Sequence, residues 1–178
     1  MTLLSHNQLI DLVNSGVIEN VKDGAINASS IDIHLGEKIV IEQFSNLNID
    51  YYLRQSFTSE TIIMDKNGYR LEADEFILAQ SREVFNLPDN ISAEYKLKSS
   101  MARIGFEHMN AGWCDAGWHG SVLTLELKNM LRYHEITIRP GDAIGQMIFF
   151  EHEAVPQSAS YATKGRYNND KTVSAIKE

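Results

Sequence analysis

Two hydroxyls, an ammonium and a guanidinium fall within six residues in Lys98-Ser99-Ser100-Met101-Ala102-Arg103. That cluster suits an anion, and a helical turn opening after Lys98 would add free backbone amides near Ser99 and Ser100. The glycine frame and Gly-Lys-Ser/Thr ending of a P-loop are missing. A helix cap with surface cations is the plainer reading of the same residues. The next segment, Asn110 to Gly120, holds three glycines and two tryptophans, Trp113 and Trp118. It reads as backbone approaching a ligand closely between aromatic walls, or as an irregular hairpin with its tryptophans in the core. On the second reading Asp115 only forms a turn. The third candidate is Glu126, in Ser121-Val122-Leu123-Thr124-Leu125-Glu126-Leu127-Lys128. Strand alternation puts Leu123, Leu125 and Leu127 on one face and Val122, Thr124, Glu126 and Lys128 on the other. A mid-strand carboxylate ordinarily faces solvent. In a pocket, partial burial would raise its pKa and suit it to proton transfer.

The elements that must carry these groups are mostly strands. Ser5-His6-Asn7-Gln8 is a capping-box pattern and Gly16 a stop signal, which predicts a helix over 5–15. Beyond it the apolar period becomes two. Strands are expected at Lys38–Ile41, Thr61–Met64, Glu75–Ala79, Ile91–Leu97, Ser121–Lys128, Ile136–Ile138 and Ala143–Phe150. Turn signals at Lys66-Asn67-Gly68, Pro88-Asp89-Asn90, Gly117 with Gly120, and Pro140-Gly141 separate them. Many short strands with frequent turns predict a mainly β sandwich, jelly roll or barrel. The stretch from Tyr161 to Glu178 lacks apolar periodicity and sets Lys164, Arg166, Lys171 and Lys177 against Asp170 and Glu178. It reads as a frayed tail or as a basic flap over an anionic ligand.

Composition narrows the function classes. The 178 residues suit one domain, and 24 acidic against 16 basic side chains give a net charge of −8. Such a surface repels phosphate polymers, so no general nucleic-acid partner is expected. Apolar runs such as Met147–Phe150 are far shorter than the roughly 18–20 residues of a membrane span. The first residues, from Met1 to His6, carry no basic region, so a cytoplasmic location is expected. One cysteine, Cys114, provides neither a disulfide framework nor a cysteine-rich metal site, and the six histidines never pair at metal-ligand spacing.

Taken together the segments resemble the dCTP deaminase family, which shares the trimeric dUTPase fold. Ser30-Ile31-Asp32-Ile33-His34-Leu35-Gly36 is similar to the family's S-[IV]-D-[VL]-R-L-G. The likeness continues through Phe76–Ala79, Leu87-Pro88, Lys98–Gly105, Ala111–Gly120, Leu123–Leu127 and Arg139–Gln146. It implies a single domain over 1–178: a distorted jelly roll or β-barrel of dUTPase-like type, with a short N-terminal helix and a flexible C-terminal flap from about 161. It implies a homotrimer with nucleotide sites between subunits. The implied reaction is hydrolysis of dCTP to dUTP and ammonia, with Mg²⁺ on the triphosphate; dUTP is a possible second substrate and dTTP an inhibitor.

Residue roles follow from the same likeness. Lys98, Ser99 and Ser100 match the [RK]-S-S phosphate motif, and Arg103 the arginine beside the catalytic carboxylate. Glu126 matches the proton-relaying glutamate, Ala111 the alanine whose carbonyl holds the attacking water, and Asp115 the aspartate near the sugar 3′-hydroxyl. Trp113, Gln146, Tyr161, Lys164, Arg166 and Asp170 complete the expected substrate contacts. The known zinc route to nucleobase deamination needs a Pro-Cys-x-x-Cys segment, which one cysteine cannot supply, so the chemistry is expected to rest on Glu126.

Two details bear on the product. Ala111-Gly112-Trp113-Cys114-Asp115 resembles the A-G-[WF]-x-D form of bifunctional members, which carry dUTP on to dUMP and pyrophosphate. The flap form K-Y-x-x-Q-x-G becomes Arg166-Tyr167-Asn168-Asn169-Asp170-Lys171-Thr172, so Asp170 stands for a glutamine and Thr172 for a glycine. A bifunctional deaminase–dUTPase, a plain dUTPase and a silent nucleotide-binding domain are the alternatives to simple deamination.

Overall fold

The computed structural model describes residues 1–177; Glu178, the last residue of the basic tail, lies outside the described residues. The strands are β1 Thr2–Leu3, β2 Ile18–Glu19, β3 Ile31–Glu42, β4 Ser59–Ile63, β5 Tyr69–Leu71, β6 Phe76–Asn86, β7 Ile91–Leu97, β8 Phe106–Glu107, β9 Trp113–Cys114, β10 His119–Asn129, β11 Ile136–Ile138 and β12 Ala143–Glu151. The helices are α1 His6–Asn14, α2 Ser99–Arg103 and α3 Tyr161–Lys164. At α1 the expected cap is formed: Gln8 Oε1 accepts from the Ser5 N–H and from Ser5 Oγ, both at 3.0 Å. Leu9 and Leu12 turn its apolar stripe onto the core.

An antiparallel sheet ordered β8-β10-β6-β3-β12-β7-β9 curls around one core, with β1 on β12, β2 on β6 and β4 on β3. The strands at its centre are longer than the sequence pattern predicts. β3 begins at Ile31, not Lys38, because Ile31, Ile33 and Leu35 already alternate into the core. It pairs first with β12 and then with β6, changing partners at Gly36. There β6 lies so close that a Cβ would stand 2.9 Å from Gln80 Cγ. Likewise β6 runs on to Asn86, since Phe85 is buried and stacks on Trp118. A polar clasp joins the two strands inside: Glu83, fully buried, accepts from the His34 N–H at 3.0 Å and lies 2.8 Å from His34 Nδ1. Burial raises the Glu83 pKa, and the His34 hydrogen bonds oppose that rise.

The tail expected as a flap lies along β10. Val122 N–H donates to the Asp170 carbonyl at 2.8 Å, and Asp170 N–H to Ser121 Oγ at 3.0 Å. Val173 is buried with Val40 and Leu78 on the sheet's outer face. Apolar burial therefore supplies what the tail's own sequence, without periodicity, does not advertise. No helix among the described residues is long and apolar enough to cross a membrane.

The two faces of β10 make unequal demands. Leu125 is 2% exposed in the core, so Leu125→Ala is expected to cost about 2–5 kcal/mol in urea unfolding. Lys128 pairs with the largely exposed Asp74 at 2.8 Å, so Lys128→Ala should change stability by at most about 1 kcal/mol.

Candidate active site

A cavity of about 320 Å³ opens on the outer face of β10, and its walls come from three stretches of the chain and from Leu78 of β6. Strand β10 contributes Val122, Thr124 and Glu126, the non-core set of its alternation. The glycine- and tryptophan-rich segment contributes Ala111, Trp113, Cys114, Asp115 and Trp118. From the tail come Tyr161, Tyr167 and Asp170, with Ser174, Ala175 and Ile176 closing the far side.

Each of these side chains is held by its neighbours. Glu126 sits opposite Leu78 on β6 and is half-buried. Burial raises its pKa above the ordinary carboxylate range, partly offset by a backbone hydrogen bond that favours the charged form. Asp115 Oδ1 accepts from Trp113 Nε1 at 2.9 Å, so the exposed indole aims the carboxylate. Cys114 is fully enclosed, and burial pushes its thiol pKa up to about 12, which leaves it a neutral wall and no nucleophile. Tyr161 is placed by docking of α3 onto the turn before β10. Its N–H donates to the Ala116 carbonyl at 3.0 Å, and Ser160 Oγ donates to Asp89 Oδ1 at 2.5 Å. Gly117 makes that approach possible: its φ is +87°, and a Cβ there would stand 2.1 Å from Ser160 Oγ.

The tail is tied as firmly. Tyr167 carbonyl accepts from Trp118 Nε1 and from Ser121 Oγ, each at 2.8 Å. Asp170 is ion-paired with Lys177, whose ammonium also lies 5.5 Å from the Tyr167 ring centroid. The acidic group that replaces a glutamine is thus neutralised within the tail itself.

Of the residues expected at the site, Glu126, Ala111, Asp115, Trp113, Tyr161 and Asp170 meet at this cavity. Lys164 lines a neighbouring cavity that shares Asp115 and Tyr161, and Arg166 is exposed. The others lie elsewhere. Lys98 is bonded to Asp32 Oδ2 at 2.6 Å. Ser99, Ser100 and Arg103 stand exposed on α2 and do not line this cavity. Gln146 Oε1 accepts from Ser30 Oγ at 3.3 Å, on the strands beside Lys98. Within one chain the acidic and aromatic cavity and the hydroxyl- and cation-bearing helix are thus two separate features. Thr124 and Val122 were findable, since they share the face of Glu126. Lys177 was legible only as one of the tail's cations, because its pairing with Asp170 depends on the tail folding back.

A family model for dCTP deaminase-like proteins matches residues 3–152. A protein of Methanosphaerula palustris named dCTP deaminase, dUMP-forming, is 35% identical over 167 residues, covering 92% of this chain and 89% of that one. One of the same name from Methanospirillum hungatei is 37% identical over 149 residues, covering 82% and 80%. Among solved structures, the 2′-deoxycytidine 5′-triphosphate deaminase of Agrobacterium tumefaciens superposes with a TM-score of 0.64 at 19% identity over 83% of this chain. The chain spans 48% of that longer protein. The dUTPase of Streptococcus mutans gives 0.50 at 13% identity, over 76% of this chain and 87% of that one. These likenesses agree with the dUTPase-like β architecture, and the family match covers β10, the segment before it and α2: this chain is an enzyme of the dCTP deaminase-like family.

Proposed function

We propose that the enzyme hydrolyses dCTP through to dUMP, releasing ammonia and then pyrophosphate. The observation that carries this reading is Glu126, a carboxylate lifted by burial in the cavity wall beside Ala111 and Asp115. The ionised carboxylate takes a proton from water as its oxygen adds to cytosine C4, and delivers it to N3. It then moves the second proton from the new hydroxyl to the amino group. The C4–N bond breaks, ammonia leaves and the uracil carbonyl forms. Release of dUTP, the simplest expectation from the sequence, is the first half of this course. The Ala111–Asp115 segment and the dUMP-forming relatives favour the second, in which water attacks the α-phosphate and pyrophosphate departs. Asp115, aimed by Trp113, is suited to hold the sugar and that water. A chain acting on dUTP alone would have no use for a proton-moving acid at position 126.

Magnesium enters as part of the substrate, on its phosphate oxygens. The phosphates also call for a cationic donor, which no residue lining the cavity supplies and which α2 holds exposed in Arg103. In our reading a second copy places its Ser99, Ser100 and Arg103 over the cavity, so that a ring of three copies completes three sites. Exposed Ile104, Met109 and Met130 near α2 supply apolar surface for that contact.

With Mg²⁺ and dCTP, ammonia, dUMP and pyrophosphate are expected in equal amounts. Ammonia without pyrophosphate would leave a simple deaminase, and no product from dCTP would sink the reading. Glu126→Gln should slow ammonia release by about 10²–10⁴ while dCTP still binds.

The same residue sets a pH dependence of stability. Its folded pKa lies above the unfolded value of about 4.3, so the folded chain holds the proton more tightly. The stability this contributes is complete below about pH 4 and lost as pH rises through the folded pKa. Glu126→Gln, which never ionises, should melt above the wild type near pH 7 and match it near pH 4.

Shared sites predict complementation. Glu126→Gln and Arg103→Ala chains, each inactive alone, should regain about a quarter of wild-type activity when refolded together in equal amounts, since a cyclic trimer then contains intact mixed sites. No recovery would place Arg103 outside the site.

A further inference from the structure

Two anchors resting on a single residue, Tyr95, bracket the corner of chain that ends at Ala111. At one end the His108 ring meets Tyr95 edge-on, with centroids 5.3 Å apart at 85°. At the other, the Gly112 carbonyl accepts the Tyr95 N–H at 2.8 Å. The two backbones are so close that a Cβ on Gly112 would stand 2.4 Å from the Tyr95 carbonyl oxygen. Tyr95 has no room to shift. It is 2% exposed, and its ring lies against Gly145, where a Cβ would fall 2.0 Å from a ring carbon. Among the described residues its hydroxyl has no hydrogen-bond partner, so ring and backbone do the holding.

Between the anchors the chain turns through Met109 and Asn110, with φ of +57° and +55°. The left-handed region is unfavourable for an L residue, least so for asparagine. Met109 is 54% exposed, so no core packing of its own compensates. The conformation is imposed by the anchors, and strain of this kind gathers where geometry serves function. What the corner delivers is Ala111, at the cavity wall shared with Glu126.

We infer that Tyr95 is a positioning residue, which clamps His108 and Gly112 so that the left-handed Met109–Asn110 pair sets the Ala111 main chain against the substrate. The inference rests on the deamination reading, in which the Ala111 backbone and Glu126 share the attacking water. It assigns the corner a role in turnover, not in affinity. A displaced main chain misaligns the water while the nucleotide stays bound.

Asn110 is exposed, so its substitution tests the corner without disturbing the core. Asn110→Val, a β-branched residue that resists a positive φ, should lower kcat for ammonia release at least about tenfold, with KM for dCTP within about threefold. Asn110→Gly, which accepts that φ freely, should keep kcat within about twofold. Amide hydrogen exchange reads the clamp without turnover: exchange at the Tyr95 N–H should quicken in Asn110→Val and not in Asn110→Gly. Tyr95→Phe, which keeps the ring, should behave as wild type. Unchanged kcat in Asn110→Val would overturn the inference. So would an equal loss in Asn110→Gly, since the side chain itself would then be what matters. A wild-type enzyme that releases no ammonia from dCTP would overturn the functional reading and the catalytic half of this inference. The exchange pattern would then still decide whether the clamp exists.

Discussion

One strand has to serve two environments, and most of the architecture follows from that constraint. Strand β10 sends Leu123, Leu125 and Leu127 into the apolar core and Val122, Thr124 and Glu126 into the cavity. Successive side chains point to opposite faces, so neither set can shift without the other, and a slip of one residue would bury Glu126 among the leucines. The pairing of β10 with β6 therefore fixes the site's register as well as the core's. The His34–Glu83 clasp fixes β6 on β3 in turn.

Around that strand the chain spends its irregular segments on enclosure. The loop before β10 and the tail after β12 are tied down by side-chain hydrogen bonds of Trp118, Ser121 and Ser160. Bound this way, they take Glu126 partly out of water. Desolvation disfavours its charge, and an acid whose pKa rises toward neutrality can both accept and return a proton. Arg103 stays on α2, outside this cavity within one chain.

Much of this was legible before any coordinates. The capping box at Ser5 and Gln8, the alternation of β10 and the turn at Pro140-Gly141 are local patterns, and local patterns survive folding. Strand lengths were less legible. The motif-like run Ile31–Leu35 hid the first half of β3, and the continuation of β6 past Ala79 passes through Ser81, whose hydroxyl donates to the Glu83 carbonyl, and Glu83, whose carboxylate is bonded to His34. The tail was the hardest to read, because its order comes from Val173 settling on Val40 and Leu78, residues far away in sequence.

The sequence by itself determined which chemistry was available. One cysteine, a mid-strand acid, a Lys-Ser-Ser-x-x-Arg cluster and a glycine-tryptophan loop are statements about residue type and spacing. Tertiary structure decided which of them meet. It brought Glu126, Ala111, Asp115 and Tyr161 to one cavity and left Ser99, Ser100 and Arg103 on a separate helix. It also neutralised Asp170 with Lys177, and set Met109 and Asn110 in a left-handed corner. The reason is physical: residue type fixes what a group can donate, accept or ionise, while proximity and burial, which set its pKa and its partners, arise only when distant segments pack.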